Sequence, residues 1–231
     1  MIYVMSDIHG NLRRFQSVME QIRLQPEDTL YILGDVIDRN PHGIRILRRI
    51  MTMPNAKMLL GNHEYMMLRV MNDPYDGEPG QYTPEDLKKY TQHWYRNGGQ
   101  VTHLHLKCLR KSLRAEICAF LKALPISIDI TAGGAPYKLV HAAPPELYRP
   151  PMEPYINQTH FSVWKRIQGD DPLPGNYTLI FGHTPTRYFQ DDSPQSLYLG
   201  ERRIGIDCGC AYPDGRLVCL RLEDMQEFYS E

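Results

Sequence analysis

Within its first seventy residues the chain repeats one pattern three times: a short apolar run, a tight polar cluster, then a stretch with helical spacing. The run "MIYVM" leads to Asp7, His9, Gly10 and Asn11. The run "TLYIL" leads to Gly34, Asp35, Asp38 and Arg39, and "MLL" leads to Gly61, Asn62, His63 and Glu64. Leu12, Phe15, Met19 and Ile22 then recur at near-helical spacing, as do Ile44, Leu47, Arg48 and Met51, with Pro54 beyond the stop. Residues 65–70 can continue as a third helix, with Glu64 starting it where a carboxylate favours the positive end. Strands alternating with helices predict βαβ units and parallel pairing, an α/β fold. In open α/β sheets ligands sit beyond the carboxyl ends of the strands. All three polar clusters fall at such ends.

The pattern changes further along. Residues 73–80 form a turn-rich break, 85–94 and 112–124 read as helices, and 98–107 is ambiguous between them. We read residues 1–231 as a single domain with a mainly helical insertion at about 73–124, which either shapes substrate access or covers the sheet. Beyond Pro125, short strands are predicted at 126–131, 137–140, 178–181, 196–199, 203–207 and 217–222, with turns at Gly133-Gly134 and Asp214-Gly215. No helix is required between the last few, so this half is more antiparallel. Two mixed sheets packed face to face, with helices outside, accommodate both halves.

The totals narrow the function. Lys+Arg is 26 and Asp+Glu is 27, a net charge of −1, which argues against nonspecific nucleic-acid binding. No apolar run reaches the ~18 residues of a membrane span, and no basic segment followed by an apolar one opens the chain. A cytoplasmic protein is expected, with no specific nucleic-acid or membrane partner. Cys108, Cys118, Cys208, Cys210 and Cys219 lack framework spacing and read as reduced thiols. Cys208 and Cys210 form C-G-C rather than the C-x-x-C of a zinc knuckle, and read better as strand positions.

Asp7, His9, Asp35, Asp38, Asn62, His63, His141 and His183 all follow predicted strands. The Asp-x-His spacing puts both side chains on one face of an extended segment, where a carboxylate and an imidazole can hold one cation. A carboxylate can also bridge two metals, and Asn62 offers a hard amide oxygen. Such mixed N/O ligation suits Mn²⁺, Fe or Zn²⁺ better than Ca²⁺. Two metals roughly 3.5–4 Å apart can activate a water and clamp a transferring phosphoryl group. Each residue has a plainer reading. Asp7 or Asn11 can cap the first helix, Asp38 the second, and Asn62 can be a turn residue. Gly10, Gly34, Gly61 and Gly182 stand beside the candidates and suggest tight turns or close backbone approach.

The ordered set "SDIHGN" (6–11), "LGDVIDR" (33–39), "LLGNHE" (59–64), "LVHAA" (139–143) and "FGHTP" (181–185) resembles the calcineurin-like metallophosphoesterases. Within them, and in the ending "GIDCGCAYPDGRLVCLRLED", it most resembles the phosphoprotein phosphatase branch, the serine/threonine phosphatases and their bacterial and phage relatives. The resemblance implies a four-layer α/β/β/α sandwich of two mixed sheets. It implies a dinuclear centre with Asp7 and His9 on the first metal, Asp35 bridging, and Asn62, His141 and His183 on the second. Two divalent or trivalent ions are expected, manganese first, with iron or zinc as the other candidates. The implied nucleophile is a metal-activated hydroxide attacking in line. His63 matches the general acid, Asp38 the carboxylate that orients it, and Arg39 a phosphate-binding arginine; Asn62 also contacts phosphate in the family. Arg166 of "WKR" looks like a second such arginine, with Arg149 as rival. Two departures stand out. Ser6 replaces a frequent glycine, and Pro185 stands where many relatives carry another histidine, leaving the first metal with fewer protein ligands.

The leading substrate expectation is a phosphorylated protein or peptide (phosphoserine or phosphothreonine, with phosphotyrosine or a small phosphoester as other candidates). The first alternative is a dinucleoside polyphosphate such as diadenosine tetraphosphate, with Trp94 and Tyr95 available to stack a base. The second is a non-catalytic binding protein of the same fold, which would show a lost ligand or a broken His63/Asp38 pair; neither is lost.

Overall fold

The computed structural model describes residues 1–73, 75 and 82–231. Most of the expected break at 73–80 therefore lies outside the described residues. Three parallel strands, β1 (Ile2–Met5), β2 (Thr29–Ile32) and β3 (Ala56–Met58), are linked by helices α1 (Leu12–Ile22) and α2 (Gly43–Met51). Helix α3 (Asn62–Val70) follows directly, then α4 (Pro84–Arg96), α5 (Gln100–Lys107) and α6 (Lys111–Lys122). A capping box on Thr83 and Asp86, with Pro84 in the first turn, starts α4. The ambiguous stretch 98–107 is thus mostly helix: the Gly98-Gly99 pair ends one helix and opens the next.

The second half supplies β4 (Ser127–Ala132), β5 (Ala135–Val140), α7 (Gln158–Trp164), β6 (Thr178–Phe181), β7 (Tyr198–Gly200), β8 (Arg203–Gly205), β9 (Val218–Arg221) and β10 (Gln226–Tyr229). The strands form two mixed sheets ordered β10-β9-β1-β2-β3 and β4-β5-β6-β8-β7. β9 and β10 close the first sheet antiparallel, and β4 and β7 flank the second likewise. Val4, Leu33, Leu139, Ile180, Ile206, Val218 and Leu220 belong to the apolar layer between the sheets. A second cluster packs α1, α2 and α3 on the first sheet, and a third lies around Phe161 and Phe181. This is the four-layer α/β/β/α sandwich. The sequence reading missed α7 and β10 and set β3 two residues late. The apolar run through Leu60 leaves the ladder after Met58, although the Leu59 amide still donates to the Ile32 carbonyl at 2.8 Å.

Register positions the site. Met5 pairs with Ile32, and Ile32 with Met58, so three strands end in one row. Val140, Phe181 and Gly205 end in a row on the other sheet. Every polar cluster therefore emerges along the same edge of the sandwich. Among the described residues, no helix is long and apolar enough to cross a membrane.

Candidate active site

The chain leaves β1, β2 and β6 through strained turns. Ten non-glycine residues among those described have positive φ, and six of them are Asp7, His9, Asp35, Asp38, Arg39 and His183. Such conformations persist where surrounding contacts over-determine them. Two glycines show how tight the packing is. A Cβ on Gly61 would stand 2.3 Å from Asp35 Oδ1, and one on Gly182 would stand 2.3 Å from Asp7 Oδ2.

Asp35 lies at the centre. Its Oδ2 faces His9 Nε2 and His63 Nε2, both at 3.7 Å, and its Oδ1 faces His141 Nε2 at 3.5 Å. Asp7 Oδ1 is 3.8 Å from His9 Nε2. Asn62 Oδ1 sits 2.9 Å from both His141 Nε2 and His183 Nδ1. Two metal-holding groups result, His9/Asp35/His63 and Asp35/His141/His183, all buried and sharing Asp35. Ser6 Oγ and the His183 amide both donate to Asp7 Oδ2 and fix that carboxylate.

The donor chemistry fits cations. The Nδ1 atoms of His9 and His141 lie 3.1 and 2.7 Å from the carbonyls of Ile37 and Leu33. A carbonyl only accepts, so each Nδ1 carries the hydrogen and each Nε2 presents a lone pair inward. At His141 that lone pair points at two further acceptors, Asn62 Oδ1 and Asp35 Oδ1, an arrangement a cation relieves. Burial, helped by Arg39 and His63, holds the His9 imidazole well below its usual range. Burial together with His141 and Arg166 does the same at His183. Both are neutral, as ligands must be. Burial and the nearby Asp35 raise Asp7, and burial and Asp7 raise Asp207, as expected of carboxylates crowded together. Burial opposes ionisation of Asp35 too, but His141, His63 and His9 outweigh it and keep that carboxyl below its ordinary value.

His63 and Asp38 form a separate pair. His63 Nδ1 is 2.7 Å from Asp38 Oδ2. Burial opposes a charged imidazole, but Asp35 and Asp38 outweigh it, and the net shift is upward. Arg39 Nη2 lies 3.3 Å from His63 Nε2. The α4–α5 hairpin holds this pair in place. Trp94 Nε1 donates to Asp38 Oδ2 at 2.6 Å, Thr102 Oγ1 accepts from the Asp38 amide at 3.0 Å, and the Gly98 carbonyl accepts from the Arg39 amide at 3.1 Å. Trp94 is fully buried, so it does not serve as a stacking platform for a base. Tyr95 is half-buried, with its hydroxyl 2.7 Å from His103 Nδ1.

Other expectations are corrected in detail. Asn11, not Asp7, caps α1, accepting from the Arg14 amide. Asp38 does not cap α2, whose N-cap is His42 without a side-chain bond. Glu64 does more than start a helix. It is fully buried, with Oε2 accepting from the Asp35 amide at 2.9 Å and Oε1 from those of Val36 and Ile37 at 2.9 and 3.2 Å. It is the fixed floor of the turn that carries Asp35. Arg166 reaches the rim, where Nη1 donates to the His183 carbonyl at 3.3 Å. Arg149 stays on its own loop, bonded to the carbonyls of Glu146 and Tyr148. The five thiols are unpaired. Burial pushes Cys210 up to about 12, so it is no ready thiolate ligand. Thr102 and Asp207 are site residues for which the sequence suggested no role, and Glu64 and Trp94 ones for which it suggested another; Asp207 follows β8 as the candidate ligands follow their strands.

The comparisons with known proteins agree with this geometry. The sequence profile of the calcineurin-like phosphoesterases matches residues 1–218. The chain is 24% identical over 284 aligned positions to the symmetrical bis(5'-nucleosyl)-tetraphosphatase of Erwinia tasmaniensis, covering 98% of this chain and 95% of that one. It is 23% identical to the protein of that name from Proteus mirabilis, covering 98% and 96%. Among solved structures, a candidate diadenosine tetraphosphatase superposes with a TM-score of 0.61 at 18% identity, covering 99% of this chain and 91% of that one. A cold-active protein-tyrosine phosphatase from a psychrophilic Shewanella superposes at 0.57 and 14% identity, covering 100% and 80%. With the shared Asp35, the paired histidine clusters and this end-to-end match, the chain belongs to the calcineurin-like phosphoesterase family and is a metal-dependent phosphoesterase.

Proposed function

We propose that this protein hydrolyses dinucleoside polyphosphates, cleaving a P–O–P bridge symmetrically so that water adds to one phosphorus and a nucleoside diphosphate leaves. The observation that carries the substrate is the match, over 98% of the chain, to tetraphosphatases of that specificity. This reverses the order of the expected substrates: a phosphoserine or phosphothreonine peptide becomes the second candidate.

The assigned roles are these. Asp7 and His9 hold one metal, Asp35 bridges, and Asn62, His141 and His183 hold the other. Bound there, the metals supply an activated water and neutralise phosphoryl charge. Arg39 and Arg166 orient the chain of phosphates through planar, multi-donor contacts. His63, kept protonated by Asp35 and Asp38, hands its Nε2 proton to the departing oxygen. That Nε2 also faces Asp35 Oδ2 at 3.7 Å, so an imidazole ligand and an acid compete for one nitrogen. Its hydrogen-bonded Nδ1, turned to Asp38, favours the acid role.

The test compares kcat/KM of manganese-reconstituted protein on diadenosine tetraphosphate and on a phosphoserine peptide. A preference for the dinucleotide, with nucleoside diphosphate as sole product, is expected. A preference for the peptide overturns the substrate assignment and leaves the metal centre standing.

A further inference from the structure

A cleft of about 430 Å³ opens beside His183, lined by Arg166, Gln168, Thr184, Tyr188 and Phe189. Its volume lies within the roughly 300–1,000 Å³ of small-molecule sites. No carboxylate lines it. Its four polar side chains, Arg166, Gln168, Thr184 and Tyr188, make one hydrogen bond between them among the described residues, and the buried Thr184 Oγ1 has no partner there. Arg166 bonds the His183 carbonyl at 3.3 Å and has no acidic partner. Neither the Gln168 side-chain amide nor the Tyr188 hydroxyl has a hydrogen-bond partner among the described residues; the Gln168 backbone N–H donates to Asp171 Oδ2 at 2.9 Å. Tyr188 is 70% exposed, the most exposed large ring described. A bare tyrosine face next to an unpaired guanidinium needs a reason.

The neighbours fix what the cleft can take. Phe189 is occupied on one face, stacked on Tyr198 at 4.6 Å and 20°. Tyr188 has the Arg166 guanidinium 6.0 Å from its ring centroid, at the outer limit of a cation–π contact, and no aromatic ring among the described residues stacks on it. The cleft is therefore anion-binding at its inner end, where Arg166 adjoins His183, and aromatic at its outer end. The Gln168 side-chain amide, which both donates and accepts, also lines it. Those features match a nucleotide lying with its phosphate inward and its base outward. We infer that this cleft is a nucleobase subsite, with Tyr188 as the stacking platform, Gln168 reading the base edge and Arg166 holding the adjoining phosphate. The inference rests on the proposed dinucleoside polyphosphate reading for the identity of the substrate, though the cleft itself is defined by geometry alone.

Base-on-aromatic stacking is worth enough to measure: removing one ring costs roughly 5- to 150-fold in affinity. The probes are AMP and ribose 5-phosphate, which share a phosphate and a ribose and differ by the base. Binding of each to the manganese-loaded protein is measured by calorimetry for wild type, Tyr188→Ala and Tyr188→Phe. Wild type is expected to bind AMP at least about ten-fold more tightly than ribose 5-phosphate. Tyr188→Ala removes most of that ratio, and Tyr188→Phe, which keeps the ring, restores it. On diadenosine tetraphosphate the loss in kcat/KM for Tyr188→Ala falls in KM. Equal affinity of wild type for the two probes overturns the subsite. So does a Tyr188→Ala variant that weakens both probes alike, or one that changes neither. O-phosphotyrosine binding as tightly as AMP, with the same dependence on Tyr188, also overturns it, since the cleft would then be a general aromatic-phosphate site. The two readings fail separately. A protein that hydrolyses the dinucleotide without dependence on Tyr188 refutes the subsite. A protein that discriminates AMP through Tyr188 yet leaves the dinucleotide intact refutes the proposed function.

Discussion

Trp94→Phe isolates the contact between the helical hairpin and the acid pair. The indole is fully buried, and Gly99 lies so close that a Cβ there would stand 2.3 Å from its Nε1. Phenylalanine fits the slot but lacks the donor. The lost bond is a short one to a buried carboxylate, 2.6 Å, and bonds to charged groups are worth about 1.5–3 kcal/mol. Asp38 Oδ1 already has no partner among the described residues, so nothing replaces it. The smaller ring leaves a gap of a few tens of Å³, adding roughly 1 kcal/mol. A loss of about 2.5–4 kcal/mol in unfolding free energy is expected by urea denaturation. Catalysis should respond through His63. With one donor fewer, the Asp38 charge is less spread and holds the imidazolium more firmly, so the His63 value moves further up. In the proposed mechanism His63 is the acid and must be protonated, so the alkaline limb of kcat/KM shifts to higher pH, while kcat falls because the carboxylate can turn. Tyr95→Phe, which removes a half-exposed contact one residue away, should leave that limb in place. Trp94→Phe with wild-type stability and an unmoved alkaline limb refutes the assignment of Trp94 as the residue that positions Asp38.

Further outcomes follow from the same geometry. His63→Asn should lower kcat on a phosphoserine peptide by about 100- to 10,000-fold, and less on diadenosine tetraphosphate, whose leaving phosphate is a far weaker base than an alkoxide. Equal losses on both would count against proton donation. Metal loading should raise the unfolding free energy by about 2.7 kcal/mol at one hundred times Kd, and chelation should remove it; an unchanged Tm in EDTA is the contrary result. Titration with Mn²⁺ should resolve two steps, with Asp7→Asn abolishing the weaker one, because that ion has fewer protein ligands; equal affinities would refute this. Burial lowers the His160 imidazole to about 4, so the unfolded chain takes up a proton near 6.5 that the folded one refuses. That contribution is fully present above 6.5 and is lost as the pH falls toward 4. His160→Phe should therefore flatten the fall in Tm across this window, and parallel Tm–pH curves would contradict it.

What the sequence disclosed and what it hid have physical reasons. Strands β1, β2, β5 and β6 were legible because each is an apolar run stopped by a polar cluster, and the clusters themselves named nine of the residues that the fold gathers at the candidate site. Helix α7 was hidden by the proline-rich run before it, which masks the Asn157 cap whose side chain accepts from the His160 amide. Strand β10, "QEFY", is an edge strand with two exposed charged or polar positions and little apolar signal. Trp94 and Glu64 were misjudged for a different reason. Each suggested a local role on its own helix, one as a ring available to stack a base and the other as a first-turn acid. Their partners, the Asp38 carboxylate and the amides of residues 35–37, lie 56 and 27–29 residues away. Local periodicity carries no information about such contacts.

The division of the site between the two sheets has a consequence for assembly. Asp7, His9, Asp35, Asn62 and His63 follow strands of the first sheet, while His141, His183 and Asp207 follow strands of the second. Neither sheet alone presents a complete donor set, and the links between them are polar: the His141 Nδ1 hydrogen to the Leu33 carbonyl at 2.7 Å, and the His183 amide to Asp7 Oδ2 at 3.0 Å. Packing the apolar layer between the sheets brings these edges together, but it also forces the carboxylates of Asp7, Asp35 and Asp207 into one buried space, where burial disfavours their charge. Cations bound at the shared edge offset that repulsion only when both sheets are docked. Metal binding is thereby coupled to sheet–sheet packing rather than to either half. A change in the inter-sheet layer far from the ligands, such as Leu139→Ala, should weaken Mn²⁺ binding as well as stability, whereas a cavity of similar size under α1, such as Val18→Ala, should lower stability with a smaller effect on metal affinity. Equal metal affinities in the two variants, at matched loss of stability, would show that the centre is held by its own turns and not by the docking of the sheets.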